Sequence, residues 1–155
     1  MNYNNVDTKQ KYVVGLMFSH SKDQVALIRK TKPKWQEGKL NGIGGKVEEN
    51  ETVLSAMIRE FEEETGLKTE MKDWRNFADL EGNWGKVIFY VSFGDLFKLK
   101  STTEEKIEIC NVDDIYDKKH DLNIHIIPNL KWLIPMALDK DDIISNCHEG
   151  NLIRL

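Results

Sequence analysis

Cysteine is nearly missing from this chain: Cys110 and Cys147 are the only two in 155 residues. That excludes a disulfide scaffold, and both are expected to be small buried residues in a reducing cytoplasm. Proline is almost as scarce, with three residues, and no Pro/Ser-rich linker, internal repeat or low-complexity tract divides the chain. One domain over residues 1–155 is therefore expected, with residues 1–10 loose. No apolar run approaches the ~20 residues of a membrane helix, and the opening MNYNNVDTKQ has no apolar stretch of the signal-peptide kind. The expectation is no membrane association and a cytoplasmic location. Positive charge is not in surplus either, since 22 Lys plus Arg face 26 Asp plus Glu, a net charge of −4. A nucleic-acid polymer, which needs a clustered positive surface, is not an expected partner. The four histidines (20, 120, 125 and 148) lack zinc-like spacing. What remains is 40% hydrophobic and 31% charged, a globular composition long enough to bury roughly two-thirds of its unfolded surface.

KYVVGLMFS (11–19) and QVALIRK (24–30) read as strands joined by a polar turn at His20–Asp23. The basic stretch KTKPKWQEGKLNGIGGK, with Pro33 and four glycines, reads as a loop. Residues 52–65 have helical periodicity and stop at Gly66, a natural C-terminal cap. An antiparallel pair turning near Gly82–Asn83 follows, its second strand within 84–94. A short strand near Ile107–Asn111, a helix from about Asn129 to Asp139 and a closing strand in GNLIRL complete the reading. Strands dominate and two principal helices are interleaved, so the expected fold is α+β, an α/β/α sandwich.

The helix TVLSAMIREFEEET carries the most chemical information. At ~100° per residue, Glu60, Glu63 and Glu64 fall within an arc of about 100°. Leu54, Met57, Ile58 and Phe61 gather on a neighbouring face as the burial stripe. Like charges three and four residues apart destabilise a helix, more so at the C-terminal end of its dipole. Either this is a solvated acidic face with Arg59 and Lys68 nearby, or a hard divalent cation offsets the repulsion. Ahead of the helix lies Asn41-Gly42-Ile43-Gly44-Gly45, where backbone can approach a ligand closely. Glycine loop, arginine and carboxylate patch at fixed spacing suit metal-assisted phosphate chemistry.

Gly45, five residues, Glu51, seven residues, then Arg59-Glu60-Phe61-Glu62-Glu63-Glu64-Thr65-Gly66-Leu67 resembles the Nudix hydrolase box, G-x5-E-x7-R-E-U-x-E-E-x-G-U. Every fixed position agrees, over 23 of the 155 residues. The resemblance implies the Nudix fold, a mixed sheet between helices, and hydrolysis of a nucleoside diphosphate linked to another group with Mg²⁺ or Mn²⁺. It implies that Glu60, Glu63 and Glu64 hold the metal with the carbonyl of Gly44. Arg59 would orient the carboxylates, and Glu51 would brace the loop. Metals neutralise the anionic oxygens and lower the pKa of a bound water. Glu63 is the first choice for the proton acceptor, with Glu64 the alternative. The family often adds a carboxylate from a later loop, for which Glu104, then Glu105, are the candidates.

GKLNGIGGKVEENET resembles the MutT-type branch, especially oxidised-purine nucleoside triphosphatases. That resemblance implies a nucleotide substrate bound by Trp35, Asn41, Gly45, Lys46 and Asn129, with Trp35 against the base and Asn41 hydrogen-bonding it. An indole face is worth ~1–3 kcal/mol to a base, and an amide both donates and accepts. Arg29, Lys30, Lys32, Lys34 and Lys39 could steer an anion from a distance. The branch pattern Trp-Pro-Asp-Asp is replaced by Ile127-Pro128-Asn129-Leu130, which predicts weak selectivity for an oxidised purine. The leading expectation is release of monophosphate and pyrophosphate from a purine nucleoside triphosphate. The alternatives are an ADP-ribose or dinucleoside polyphosphate pyrophosphatase, and a non-catalytic ligand-sensing or RNA-binding domain.

Overall fold

Alternating apolar residues in KYVVGLMF and GKVIFYVSF place a different set of side chains on each face of a sheet. The computed structural model, which describes residues 9–139, realises that pattern. The central strand β1 (Lys11–Phe18) runs parallel to β6 (Gly85–Phe93) and antiparallel to β2 (Gln24–Arg29). Outward from β2 lie β3 (Leu40–Asn41) and β7 (Lys106–Asn111), and outward from β6 lies β5 (Arg75–Gly82). The remaining strand, β4 (Ile43–Lys46), pairs antiparallel with the first half of β1, Val14 opposite Gly44.

The sheet is mixed and covered on both faces. Leu16, Phe18, Phe89 and Val91 point to a core closed by Leu130, Leu133 and Ile134 of α4 (Leu130–Leu138) and Ile115 of α2 (Val112–Tyr116). Val13, Met17, Ile88 and Tyr90 face the other way, onto Met57 and Phe61 of α1 (Val53–Thr65). Each fully buried large apolar side chain contributes about 1.5–3 kcal/mol. Phe61 also meets Trp74 edge-on, with ring centroids 4.9 Å apart. Within α4, Pro135 cannot donate to the carbonyl four residues back, Lys131, and the Tyr116 hydroxyl donates to it instead at 2.9 Å.

The expected α/β/α arrangement is thus the observed one, with three differences. The glycine-rich stretch is not all loop, because β3 and β4 lie within it; glycine removes the side-chain alternation that would mark a strand. On α1 the fully buried residues are Ala56, Met57, Phe61 and Thr65, while Leu54 and Ile58 are only partly covered. Two short helices, α2 and α3 (Asp121–His125), occupy a stretch for which no helix was expected. The closing strand expected in GNLIRL, and Cys147 and His148, lie outside the described residues. Cys110 is buried, and burial pushes its thiol up to about 11, leaving it protonated and unreactive. Among the described residues no helix is long and apolar enough to cross a membrane.

Candidate active site

The start and stop of α1 are fixed by local chemistry. The Thr52 hydroxyl accepts from the Ser55 N–H at 3.1 Å, and Gly66 closes the helix at φ 71° with its N–H donating to the Glu62 carbonyl. That left-handed cap suits glycine and would strain any side chain. Between these caps, Glu60 is brought against β4, while Glu63 reaches Arg59 and Glu64 reaches Thr103. The Glu60 carboxylate packs directly on Gly45, where an added Cβ would lie 2.5 Å from its carboxyl carbon.

Arg59 is the hub of this side. Its Nη2 donates to Glu51 Oε1 at 2.7 Å and to the Lys46 carbonyl at 3.0 Å, and its Nε to Glu51 Oε2 at 3.1 Å. Its Nη1 lies between Glu60 Oε1 at 2.9 Å and Glu63 Oε2 at 3.3 Å. Glu51 also accepts the Glu48 N–H, so one carboxylate ties the loop to the helix. Arg59 donation holds Glu51 below the usual carboxylate range, and Glu51 in turn raises the Arg59 guanidinium. Glu60 shifts the opposite way: burial, aided by the charges of Glu63 and Glu64, outweighs Arg59 and raises it.

Glu64 accepts from the Thr103 hydroxyl at 2.8 Å, and the Thr102 hydroxyl donates to the Glu63 carbonyl. The later acidic pair divides. Glu104 is exposed and among the described residues meets only the Thr31 hydroxyl, at 3.4 Å, whereas Glu105 is buried and accepts from Lys30 Nζ at 2.7 Å and the Thr31 N–H at 2.6 Å. Glu105 is therefore spent on the β2 end.

A cavity of about 700 Å³ opens on the face covered by α4, with β4 as its shared wall. Trp35, Asn41, Gly44, Gly45, Lys46 and Asn129 all line it. Val14, Val87 and Phe89 give it an apolar floor of a size suited to a nucleotide-like ligand. Asn41 is engaged already: its amide donates to Gln36 at 3.0 Å and its oxygen accepts the Gly42 N–H at 2.8 Å. Asn129 is not, because its Oδ1 is buried without a partner among the described residues. Leu130, which by the sequence resemblance replaces the second aspartate of the branch pattern, is wholly buried in the core and does not line the cavity. At the first turn of α4 adjacent residues diverge by ~100°, so only one of the two can face the cavity. Trp84, next to the β5–β6 turn, lines the cavity and is 58% exposed, as Trp35 is at 64%. Sequence reasoning passed over Trp84, although an indole beside a hairpin turn with no core to enter was a usable signal. Gln36 was also missed and carries no such signal.

In kind, the donor set fits a hard divalent cation: several carboxylates, one of them half-buried among like charges. Among the described residues, however, no three His, Cys, Asp or Glu side chains are gathered as a metal site. The Arg59 guanidinium stands where Glu60 and Glu63 meet and offsets part of their repulsion.

Against known proteins, the family model described as NUDIX domain matches residues 9–133. Among curated proteins, none matches significantly. Solved structures share the fold. A MutT/nudix family protein from Enterococcus faecalis superposes with TM-score 0.60 at 18% identity, covering 72% of this chain. This chain spans only 47% of that one. A MutT structure from work on the Aliivibrio salmonicida and Vibrio cholerae proteins gives TM-score 0.62 at 19% identity, covering 81% of this chain and 96% of the other. The NUDIX domain of Shewanella oneidensis NrtR, complexed with ADP ribose, gives 0.65 at 14% identity over 88% and 91%.

Proposed function

The chain belongs to the NUDIX family, and from that premise we propose that it is a MutT-type pyrophosphohydrolase, a single domain that cleaves a purine nucleoside triphosphate into monophosphate and pyrophosphate. The observation that carries this reading is β4 itself. One side of the strand meets the Glu60 carboxylate, and the other forms the wall of an apolar cavity flanked by two exposed indoles. A base in the cavity would leave its phosphates to reach the carboxylates across two glycines.

Glu60, Glu63 and Glu64, with the Gly44 carbonyl, would hold Mg²⁺ or Mn²⁺, and Glu104 is the exposed acid free to join them. The ion would supply charge neutralisation of the phosphate oxygens and acidify a bound water. The protein's own part is separate. Arg59 and Glu51 fix the loop against the helix, so the carboxylates need little reorganisation when substrate arrives. Glu63, 57% exposed and held only at 3.3 Å, is the carboxylate best able to take a proton, with Glu64 tied to Thr103. Trp35 and Asn129 would receive the base, Trp35 by stacking and Asn129 by accepting an N–H. Lys46, at the end of β4, would meet the phosphate chain with Gly45 beside it.

The fold shared with a domain bound to ADP ribose supports a second reading, hydrolysis of ADP-ribose. A phosphate-release panel with Mg²⁺, over nucleoside triphosphates, ADP-ribose, NADH and diadenosine polyphosphates, tests both. Turnover of a triphosphate, abolished by EDTA, is the expected result. Turnover of ADP-ribose alone selects the second reading. Tight binding of any member without turnover would instead mark a ligand-sensing domain.

A further inference from the structure

The connection from β6 to β7 docks on the C-terminal end of α1. The last four carbonyls of a helix have no partner within it. In α1 they belong to Glu62, Glu63, Glu64 and Thr65. The Gly66 N–H meets the first, and one short stretch of the connection meets the other three. The Thr102 hydroxyl donates to the Glu63 carbonyl, the Thr102 N–H to the Glu64 carbonyl at 3.4 Å, and the Lys100 N–H to the Thr65 carbonyl at 3.0 Å. Those three bonds hold the backbone of the helix end. Thr103 differs, because its hydroxyl reaches a side chain, Glu64 Oε2 at 2.8 Å.

A hydroxyl has one proton, and here its direction is set. The Glu105 N–H donates to Thr103 Oγ1 at 3.2 Å, so that oxygen accepts there and keeps its own proton for another partner. Two acceptors lie within reach, Glu64 Oε2 at 2.8 Å and the Glu105 carbonyl at 3.4 Å, and the shorter bond to a carboxylate is the stronger. Glu105 is anchored in turn, since its side chain is buried and accepts the Thr31 N–H at 2.6 Å. One hydroxyl thus ties Glu64 to a buried anchor on the end of β2.

We propose that Thr103 is a positioning residue for the carboxylates of α1: its hydroxyl fixes the Glu64 side chain and thereby raises affinity for a divalent cation. The proposal rests on the reading of Glu64 as a metal ligand given above. A carboxylate at the C-terminal end of a helix, beside like charges, is disfavoured where it stands. The bond from Thr103 holds it there before an ion arrives.

The test is binding of Mn²⁺ alone to the full chain, read from the electron paramagnetic resonance of the free ion with no nucleotide present. Thr103→Val removes the hydroxyl at nearly constant shape and should weaken Mn²⁺ binding by roughly ten- to a hundredfold, as for other partners of metal-binding carboxylates. Thr103→Ser keeps the hydroxyl and should stay within about threefold of wild type. Thr102→Val removes a bond to backbone only, so it should lower the urea midpoint and leave Mn²⁺ affinity within about twofold. In a Glu64→Gln background, Thr103→Val should cost less than about twofold more, because the group it acts on is gone. Should Thr103→Val fail to fold with the Glu105 N–H unpaired, Thr103→Ala takes its place, since the smaller side chain leaves room for a water there. Unchanged Mn²⁺ affinity in the folded variant overturns the proposal, as does an equal loss in Thr102→Val. A Thr103→Ser chain as weak as Thr103→Val, or a full further loss in the Glu64→Gln background, overturns it as well. A wild-type chain that binds no Mn²⁺, or a Glu64→Gln chain that binds it as well as wild type, overturns the metal reading of α1 instead, a result distinct from those.

Discussion

On the α1 side of β4, Glu51, Arg59, Glu60, Glu63 and Glu64 each hold a protein hydrogen bond; on the cavity side, Trp35 and Trp84 lie open and Asn129 Oδ1 is buried unpaired. An unpaired buried acceptor costs about 1–3 kcal/mol, and a ligand N–H would recover it. The contrast is between a side built to be rigid and a side left to be completed. Groups that act on a developing charge work best when already oriented. Groups that recognise a ligand contribute most when the ligand is what satisfies them. Asn41 belongs by this criterion to the rigid side, although it lines the cavity, because Gln36 and Gly42 already use its amide.

The largest effect should come from breaking the rigid side at its least committed member. Glu63→Gln removes a charge from a side chain that is 57% exposed and bonded only at 3.3 Å, so the fold should be retained. Turnover should fall about a hundredfold or more if Glu63 is the base. Rates within about threefold of wild type at saturating Mg²⁺, with unchanged circular dichroism, would remove Glu63 from that role.

On the open side the effects should appear in binding. Trp35→Ala is expected to raise KM about five- to a hundredfold, the equivalent of ~1–3 kcal/mol of stacking, with kcat nearly constant. Trp84→Ala should act in the same direction, since its ring is similarly exposed on the same cavity. If kcat falls instead of KM rising, the indoles serve the chemistry and the division of labour across β4 is wrong.

How much of this was legible in the sequence follows the same division. Residues 53–65 announce themselves through periodicity, Thr52 and Gly66 through capping chemistry, and the carboxylate arc through helix geometry. Strands β1, β2, β5, β6 and β7 show apolar alternation or a β-branched run. By contrast, β4 is hidden because two of its four residues are glycine, and α2 and α3 are too short for a period. The cavity was only partly legible, since its lining comes from segments far apart in the chain. Glu105 shows the limit best: beside Glu104 in sequence it looks equivalent, yet the bend ahead of β7 buries one and exposes the other.

A smaller effect should distinguish two carboxylates within the rigid side by pH. Glu51 is lowered by Arg59, so its stabilising contribution is complete above its ordinary pKa and is lost as pH falls through the lowered folded value. Glu60, raised by burial, has the opposite sign, and stability declines as pH rises through its raised value. Urea midpoints should therefore show Glu51→Gln less stable than wild type near neutrality, with the two converging below the usual carboxylate range. A gap that persists unchanged in acid would mean that Glu51 acts by packing and not by charge.

The smallest expected effect is selectivity for an oxidised purine. In the branch that the sequence resembles, an acidic pair is expected to read the purine edge, and the resemblance sets Asn129 and Leu130 at those positions. Only one of these two side chains can meet a base, since Asn129 lines the cavity with an unpaired Oδ1 while Leu130 is wholly buried in the core. One amide can accept an N–H that normal and oxidised guanine both present at N1 and N2, so it offers little discrimination between them. A preference for 8-oxo-dGTP over dGTP below about tenfold in kcat/KM, ~1.4 kcal/mol, is expected. Leu130→Asp should not raise it, because the new carboxyl would enter the α4 core without a partner and lower stability first. A measured preference of about a hundredfold or more in the wild type would require a second polar group facing the base. Gln36, which lines the cavity and holds Asn41, would then be the residue to replace.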